Sequence, residues 1–428
     1  MKTMIELIRE LTPLNRAVCA QGYDKAVEVL CKEVPFQVKS IPHTVEHNGW
    51  IIPPAWDVEE AEISLNQEIV YDGTHHPLAV MSLSSNFTGE VELDELKKHI
   101  HFDHRDADSI PFHYRQQFRS WERDWGFCMP KRAVDALTPG RYSVRIRTRE
   151  EPGSVRILEY RHGGSTDHVI VLGANLDHAG VANDGLSGVA VGIEVMRRLA
   201  ERKTKFTYAL VLAPGILGTE LYLGSMPARE RARILEGLFL EMLGTGNTLA
   251  VQESRHSMVS LSYALHTSLQ KQGFDYRRGS FEEIIINDEY LYENYGIPML
   301  SLSRFPYAEY HSSRDSAAIM RQPALEEAVK AVLGMITQLE SSPILVKQFT
   351  GNMCLSNPQY DLYVDYGQIA FGQSPTETTK RLRALMDFIP SLERPISVAA
   401  VAHRIGLDEP TVMQYVVRWQ EKGLITLL

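Results

Sequence analysis

The sequence predicts an α/β fold in which a mainly parallel sheet carries helices on both of its faces. Three observations indicate this fold. Short apolar runs at 168–174, 206–213 and 237–243 have the length and composition of buried strands. Segments with a helical spacing of apolar residues lie between these runs, as is typical of parallel strands joined by crossover helices. The chain has 428 residues and is 44% hydrophobic, which predicts two or three domains with a sizeable core.

The elements of this sheet domain are predicted to follow two N-terminal helices, the second of which covers residues 21–33. From about residue 140, strands and helices alternate. In chain order the predicted strands are 141–147, 154–160, 168–174, 206–213, 237–243 and 297–302, and the predicted helices are 186–202, 228–235, 263–272 and 324–340. Functional residues in such sheets lie beyond the carboxyl ends of the strands, so the loops that follow the strands are searched first.

Two further units are predicted outside this sheet. Residues 36–115 hold short strand-like pieces and several histidines and prolines, which predicts a small β-rich inserted module. Residues 344–378 read as a linker or a strap. Beyond them, predicted helices at 378–388, 397–405 and 409–422 precede a strand at 424–428, which is the pattern of a winged helix-turn-helix. The predicted domains are therefore 1–35 together with 116–350, then 36–115, then 375–428.

Composition restricts the classes of function. The formal net charge of −10 argues against a protein that binds nucleic acid or a membrane over its whole surface. Four scattered cysteines without a CxxC pair indicate a reducing compartment. The N-terminus lacks the apolar core of a signal peptide, and no run approaches the roughly 18 apolar residues of a membrane span. We therefore expect a cytoplasmic protein.

The densest group of chemically active residues is the string 175–188 (NLDHAGVANDGLSG), which follows a predicted buried strand and opens a helix. His178 and Asp184 then lie in a loop at the carboxyl end of that strand. An imidazole and a carboxylate in this position suit a zinc-like ion. The alternative is that His178 is a surface histidine and Asp184 caps the following helix.

This string resembles the metal-binding motif of the M28-type zinc aminopeptidases, in which a histidine, an Asn-Asp pair and Ser-Gly open a helix after a central strand. It is closer still to a bacterial branch of aminopeptidase-like proteins. That branch carries an inserted domain of unknown function and a C-terminal winged helix, and is often linked to polysaccharide biosynthesis loci. The segments that share the resemblance, in order, are 52–58 (IPPAWDV), 125–128 (WGFC), 287–289 (NDE), 295–298 (YGIP) and 310–315 (YHSSRD).

The resemblance implies a role for each matching residue. His178, Asp184 and His311 would hold a zinc ion, with Asp315 supporting His311. Glu241 stands where the clan has an aspartate ligand, and an ordinary salt bridge is the alternative for it.

Two acids would face the substrate. Asp288 would lie beside the substrate, and Glu289 would be a further substrate-facing acid. Solvated loop acids are the alternative for this pair.

One position departs from the family pattern. Gly215 occupies the place of an expected glutamate, and Glu220, five residues further on, is the candidate catalytic carboxylate that remains in this segment. A single zinc ion is therefore more consistent with the sequence than the clan's two ions, although a second ion is left open. A second interpretation of the glycine at this position is that catalysis has been lost.

The resulting hypothesis is a zinc-dependent hydrolase that cleaves an amide bond through an activated water. Its substrate would be a peptide amino terminus or an N-acyl or aminoacyl small metabolite. The alternative is a non-catalytic or regulatory protein with a degenerate hydrolase domain. Residues 378–428 hold seven Lys or Arg against five Asp or Glu, too small a surplus to favour DNA binding. We therefore expect the predicted winged helix to serve docking or homo-oligomerisation, without membrane contact. The histidines at 75, 76, 99, 101 and 104 are interpreted as surface residues.

Overall fold

The computed structural model of the chain describes residues 1–256, 259–365 and 375–428. Its strands are β1 Gln37–Pro42, β2 Ala55–Leu65, β3 Glu68–Asp72, β4 Phe87–Glu92, β5 Ile100–His101, β6 Phe127–Cys128, β7 Arg141–Glu151, β8 Ser154–His162, β9 Val169–Asn175, β10 Thr207–Ala213, β11 Ile234–Leu240, β12 Leu249–Gln252, β13 Tyr276–Gly279, β14 Met299–Ser303, β15 Ile344–Lys347, β16 Ile396–Ser397 and β17 Ile425–Leu427. Its helices are α1 Met4–Leu11, α2 Gln21–Glu33, α3 Leu93–Leu96, α4 Lys131–Asp135, α5 Gly188–Leu199, α6 Leu217–Ser225, α7 Ala228–Arg231, α8 Ser260–Gln272, α9 Glu289–Asn294, α10 Gln322–Ser341, α11 Glu377–Phe388, α12 Val398–Ile405 and α13 Glu409–Glu421.

The large sheet has the strand order β1-β8-β10-β9-β11-β14-β12-β13. The four central strands β10, β9, β11 and β14 are parallel to one another. Strands β1, β8 and β12 pair antiparallel to their inner neighbours. The predicted α/β class is confirmed, and the sheet is mixed around a parallel centre. The carboxyl ends of the central strands therefore meet at one edge, where the candidate site lies.

Both faces of the central strands are buried, which explains why these strands have continuous apolar sequences. In β9, Ile170 and Leu172 point into the core formed with α1, α5, α8 and α10. Their neighbours Val169 and Val171 point into the core formed with α6 and α9. Successive residues of a strand face opposite sides of a sheet, so a strand covered on both faces has no polar side to expose.

The small four-stranded sheet, β3-β2-β7-β4, does not coincide with the predicted module 36–115. Residues 37–42 form β1, which pairs with β8 in the large sheet. Residues 141–151 form β7, which pairs with β2 and β4 in the small sheet. The alternating pattern in β7 predicts a strand correctly but carries no information about which sheet the strand joins. That choice depends on which partners bury its apolar face, here Tyr142, Val144 and Ile146.

The C-terminal unit is larger than the predicted range 375–428. Its three-stranded sheet, β16-β15-β17, takes its central strand from residues 344–347, which the sequence assigned to a linker. Leu355 and Leu362 of the same segment are buried in the core of the unit. Ser397 caps α12 as predicted, because its side chain accepts a hydrogen bond from the N–H of Ala400. The remainder of the predicted linker, 366–374, lies outside the described residues.

One predicted helix is wrong for most of its length. The range 228–235 contains only the single turn α7, after which β11 begins at Ile234. The charged residues at the start of this range are spaced as in a helix. The residues from Ile234 onwards instead form a strand in which all seven residues are buried. No helix in the described part of the chain is long and apolar enough to cross a membrane.

Candidate metal centre

His178, Asp184 and His311 converge beyond the carboxyl ends of the central strands. One ligand atom from each lies within 4.8 Å of the others. The Asp184 Oδ2 atom is 3.8 Å from His178 Nε2 and 3.1 Å from His311 Nε2. Two ligands of a tetrahedral zinc ion are separated by about 3.3 Å, since each bond is about 2.0–2.1 Å long. The two distances bracket that value, so the donor set fits a zinc-like ion.

The electrostatics of this group also favour a positive charge between the three side chains. The Asp184 Oδ2 atom is buried, faces the two imidazoles, and has no other hydrogen-bond donor among the described residues. Burial alone would lower the pKa of His178, but the carboxylates of Asp184 and Asp177 outweigh it and raise the pKa to about 10. Burial acts to raise the pKa of Asp184, yet the two imidazoles lower it overall. A metal ion or protons can supply this positive charge, and zinc binding would replace the protons.

The loop that carries His178 and Asp184 depends on two glycines. Gly185 has φ +97°, and a Cβ atom there would lie 2.2 Å from the carbonyl oxygen of Asn175. A Cβ on Gly188 would lie 1.9 Å from the carbonyl oxygen of Leu240. These contacts bring the start of α5 against the ends of β9 and β11. The sequence pattern of Asn-Asp followed by two nearby glycines is therefore a packing requirement as well as a motif.

Both histidines of the candidate site adopt a left-handed backbone conformation, with φ +74° at His178 and φ +55° at His311. This conformation costs about 1–3 kcal/mol for a residue other than glycine and persists where the surroundings impose it. Such positions concentrate at functional sites, so the pair supports the assignment of a site here.

Arg16 imposes part of this conformation and was missed by the sequence analysis. Its guanidinium group is fully buried and donates hydrogen bonds to the carbonyl oxygens of His178 at 2.7 Å and Val181 at 2.8 Å. It also donates to the carbonyl oxygen of Leu176 at 3.1 Å. Burial lowers the pKa of Arg16 to about 10, so the side chain remains a cation at neutral pH. A lone arginine 162 residues before the motif gives no local signal of this role.

Asp315 supports a different ligand from the one predicted. Its carboxylate accepts hydrogen bonds from the backbone N–H groups of Asn183 at 2.6 Å and Asp184 at 3.0 Å. The hydroxyl of Tyr307 donates to it at 2.7 Å. Asp315 therefore fixes the loop of Asp184, and the prediction that it supports His311 is corrected. The N–H groups of the turn before α5 need an acceptor because they are buried, and Asp315 is the carboxylate that the fold places there.

A second carboxylate, that of Asp177, lies beside the other ring nitrogen of His178 and orients the imidazole. Its Oδ1 atom lies 3.3 Å from the Nδ1 atom of His178. The backbone N–H of Gly215 donates to the same oxygen at 2.8 Å. A carboxylate beside the second ring nitrogen orients an imidazole ligand and raises its basicity. Gly215 thus contributes its backbone N–H at the position where the family pattern has a glutamate side chain.

Three further acids, Glu241, Asp288 and Glu289, are buried beside this group. Burial, reinforced by Glu289, raises the pKa of Glu241 well above its ordinary value. Burial raises the pKa of Asp288 to about 7 and that of Glu289 to about 8. The alternative of solvated loop acids is therefore wrong for Asp288 and Glu289.

The hydrogen bonds of these acids leave some of their oxygens free. The side-chain amide of Asn287 donates to Glu241, and that of Gln252 donates to Glu289 at 2.6 Å. The second oxygen of Glu241 and that of Glu289 have no hydrogen-bond donor among the described residues. Glu241 is not part of the group of three ligands. Buried acids with free oxygens are costly unless a cationic partner joins them.

Glu220 belongs to a separate cluster on α6. Its Oε1 atom accepts a hydrogen bond from the hydroxyl of Tyr295 at 2.8 Å and lies 3.1 Å from His47 Nε2. No hydrogen bond or ion pair of Glu220 among the described residues reaches the three ligands. Its neighbour Thr219 instead donates to Asp288. The helix therefore directs Thr219 towards the acids and Glu220 away from the ligands.

One wall of the site comes from the small β-rich unit, which consists of the sheet β3-β2-β7-β4 and the segments that share its core, Phe112 among them. The ring of Phe112 lies 5.3 Å from the ring of His178 and 5.3 Å from the ring of His311. The N–H of Phe112 donates to the carbonyl oxygen of His311 at 2.9 Å. Ala179 and Val181, from the loop of His178, are buried in the core of this unit. Periodicity could not predict this contact, since it joins segments that are distant in the sequence.

Three of the histidines interpreted as surface residues, His76, His99 and His101, are partly buried. The ring of His99 stacks on Trp125 at 3.9 Å, and the ring of His101 stacks on His113 at 4.1 Å. They pack within the small unit, and they are not part of the ligand group.

Known proteins that are similar to this chain belong to the group that its motifs resemble. A family model described as a domain of unknown function, DUF4910, matches residues 5–342, and the chain belongs to this family. A Clostridium acetobutylicum protein, described as a polysaccharide biosynthesis protein with an aminopeptidase-like domain, is 27% identical over 341 residues, or 78% of this chain and 77% of that protein.

Solved structures share the fold. A Clostridium acetobutylicum crystal structure described as that of a peptidase has a TM-score of 0.75 and 22% identity, and the match covers 99% of this chain and 96% of that chain. A zinc aminopeptidase from Bacillus subtilis has a TM-score of 0.58 and 14% identity, and the match covers 78% of this chain and 93% of that chain. The aminopeptidase-like fold and the resemblance to zinc aminopeptidases are therefore confirmed.

Proposed function

We propose that this DUF4910 member is a metal-dependent hydrolase that cleaves an amide bond, with one zinc ion held by His178, Asp184 and His311. The observation that carries the proposal is the separation of the three ligand atoms, together with a buried oxygen of Asp184 that faces the two imidazoles. When bound, zinc supplies Lewis-acid chemistry that polarises a carbonyl group and acidifies a water molecule. Asp177 orients the imidazole of His178, and Asp315 and Arg16 hold the backbone of the ligand loop.

The buried acids beside the ligands would accept a proton and bind an amine. Glu289 has one free oxygen and a pKa raised by burial to about 8, so it can exchange a proton near neutral pH. Asp288 is held by the N–H of Ile216 at 2.6 Å and by Thr219, which fixes its orientation. An ammonium group on the substrate would provide the cationic partner that these acids lack. We therefore propose a substrate with a free amine next to the amide that is cleaved.

The substrate we propose is a small aminoacyl metabolite, ahead of a peptide amino terminus and ahead of an N-acyl metabolite, which would lack this amine. The name of the Clostridium relative refers to polysaccharide biosynthesis, which favours an amino sugar as the amine component. For the C-terminal unit we propose docking or self-association in preference to DNA binding. Tyr415 and Trp419 of α13 are buried in the core of that unit and cannot reach a DNA groove. Arg418 donates to the carbonyl oxygen of Asp361, so its side chain is already occupied.

The first test is the metal content of the purified protein and of His178→Ala and His311→Ala, measured by elemental analysis. We expect about one zinc ion per chain in the wild type and loss of it in both variants. The matched control is His43→Ala, because His43 is exposed and distant in sequence from the three ligands. A wild-type protein that stays free of metal after incubation with zinc would refute the proposal.

A second candidate function rests on Gly215. Since the expected glutamate is absent there, the chain could bind metal and a ligand without turnover. The distinction is made with the zinc-loaded protein on N-acetyl amino sugars and aminoacyl anilides. Release of amine that disappears in Glu289→Gln supports the hydrolase. Stoichiometric binding of the same compounds without amine release supports a non-catalytic binding protein.

A further inference from the structure

A groove of about 1160 Å³ separates the sheet domain from the C-terminal unit. It is lined by the end of β12, the loop after it, α8, the strand β13 and the helix α12. Small-molecule sites commonly have volumes of about 300–1,000 Å³, so the groove is large enough for a nucleotide-sized ligand. None of the metal-centre residues lines it.

The charge of the groove is opposite to that of the whole chain. Its charged lining comprises four cations, Arg255, Lys271, Arg278 and Arg404, against the single carboxylate of Glu253. The formal charge is therefore +3 with histidines neutral, whereas the chain carries −10. Three imidazoles, those of His256, His266 and His403, also line it. A concave surface of one sign attracts ions of the other sign into it.

The carboxylate of Glu253 is already engaged. It lies 2.5 Å from His266 Nε2 and 2.7 Å from the Nε atom of Arg278, and it accepts the hydroxyl of Ser262 at 2.7 Å. It therefore neutralises Arg278, and the lining holds no second carboxylate for the other cations of the groove.

Two arginines of the groove, Arg255 and Arg404, form no salt bridge among the residues that the structure describes. The charge of Arg255 acts on the exposed carboxylate of Glu282, which does not line the groove. Arg255 lies 4.6 Å above the ring of Phe281, and Arg404 lies 6.0 Å from the ring of Phe388. Contacts with aromatic rings fix the position of a guanidinium group and leave its N–H donors free. The two arginines come from different units, so one anion in the groove could contact both.

Aromatic side chains complete the lining. The rings of Tyr263 and His403 lie 5.2 Å apart across the junction of α8 and α12. The rings of His266 and Tyr276 stack at 5.3 Å. Such rings offer stacking surfaces for a planar group attached to an anion.

We propose that this groove binds a small molecule that bears a diphosphate group, of the nucleoside diphosphate class. A nucleoside diphosphate carries roughly three negative charges, one on the inner and nearly two on the terminal phosphate. This number matches the formal charge of the groove. Guanidinium groups bind phosphate oxygens in a bidentate manner, which suits Arg255 and Arg404. A single small anion fits an enclosed junction better than a duplex, which needs a projecting surface.

The acid cluster and the groove are contacted by successive residues at the end of β12 and just after it. Gln252, the last residue of β12, donates to Glu289 of the acid cluster. Glu253, the next residue, faces the groove. Neighbouring residues of an extended chain point to opposite sides, which explains how one segment serves both places.

The test is isothermal titration calorimetry of the full chain with ADP, pyrophosphate and adenosine as probes. We expect ADP and pyrophosphate to bind saturably, more weakly as sodium chloride is raised, and adenosine to bind poorly. The variant Arg255→Gln with Arg404→Gln should weaken binding by about tenfold for each arginine removed. The control is Lys203→Gln with Arg229→Gln, which makes the same change in charge at two exposed positions outside the groove. A further arm uses His178→Ala, which should leave ADP binding intact.

The outcomes distinguish a nucleotide from an inorganic diphosphate, and binding in the groove from binding at the metal centre. Tighter binding of ADP than of pyrophosphate identifies a nucleotide as the source of the diphosphate, and equal binding identifies an inorganic diphosphate. The proposal is overturned if neither probe binds at millimolar concentration, or if the groove variant binds as the wild type does. It is also overturned if His178→Ala abolishes binding, since the anion would then be held at the metal centre. Binding of a DNA duplex without binding of ADP would assign the cations to nucleic acid instead.

Discussion

Replacement of Asp315 by asparagine should weaken zinc binding without any change to a zinc ligand. The carboxylate accepts two backbone N–H groups through Oδ1, from Ala182 at 3.3 Å and Asn183 at 2.6 Å. Through Oδ2 it accepts the N–H of Asp184 at 3.0 Å and the hydroxyl of Tyr307 at 2.7 Å. An asparagine can keep only one of these oxygens, so its amide group must face at least one backbone donor.

The magnitude follows from these contacts. A hydrogen bond to a charged group contributes about 1.5–3 kcal/mol, and the hydroxyl of Tyr307 can turn to accept from the new amide. The loss of the Asp184 bond and the weakening of the others should lower the free energy of unfolding by about 2–4 kcal/mol. Since the loop then no longer fixes Asp184, we expect zinc affinity to fall by about 10–100-fold.

The assay is zinc affinity by competition with a chelator at pH 8, combined with urea unfolding of the metal-free protein. Burial raises the pKa of Asp315 to about 6, so the wild-type carboxyl group is ionised at this pH. Tyr307→Phe removes one donor and should cost only about 1 kcal/mol. Asp275→Asn is the control, because Asp275 is exposed. A folded Asp315→Asn protein with the zinc affinity of the wild type would refute the reasoning.

Three further predictions concern residues around the site and in the core. Arg16→Met leaves at least three buried carbonyl oxygens without a donor and should lower the free energy of unfolding by about 3–5 kcal/mol in urea, whereas Arg9→Met on the exposed face of α1 should change it little. Phe112→Ala removes a ring that is 7% exposed and touches both histidine ligands, so stability should fall by about 3 kcal/mol and zinc affinity with it; unchanged zinc affinity would contradict the wall assigned to the small unit. Burial raises the pKa of Glu236 from 4.5 to about 7, so the stability due to its protonated form is complete below pH 4.5 and is lost as the pH rises through 7. The stability advantage of the wild type over Glu236→Gln should therefore shrink by about 2–3 kcal/mol between pH 5 and pH 8, and parallel pH profiles in urea unfolding would contradict this.

The sequence alone predicted the parallel centre of the sheet and the loop that carries His178 and Asp184, whereas His311 was identified only through the family resemblance. The sheet centre and the loop are local properties. The run 168–174 is apolar throughout because each of its faces is covered, and the string 175–188 combines a histidine, an Asn-Asp pair and glycines in one loop. Chemistry that is contained within a few neighbouring residues leaves a pattern that can be read without coordinates.

Only the tertiary structure decided which distant side chains hold that loop. Arg16 is 162 residues from His178, and Asp315 supports Asp184 rather than its near neighbour in sequence, His311. Tertiary contacts also decided that β1 and β7 join different sheets. They likewise decided that the side chain of Glu220 lies beside His47 and away from the three candidate ligands. These choices are made by the burial of whole faces and by the need to satisfy buried polar groups. Both depend on contacts between segments far apart in the chain, and no local pattern records them.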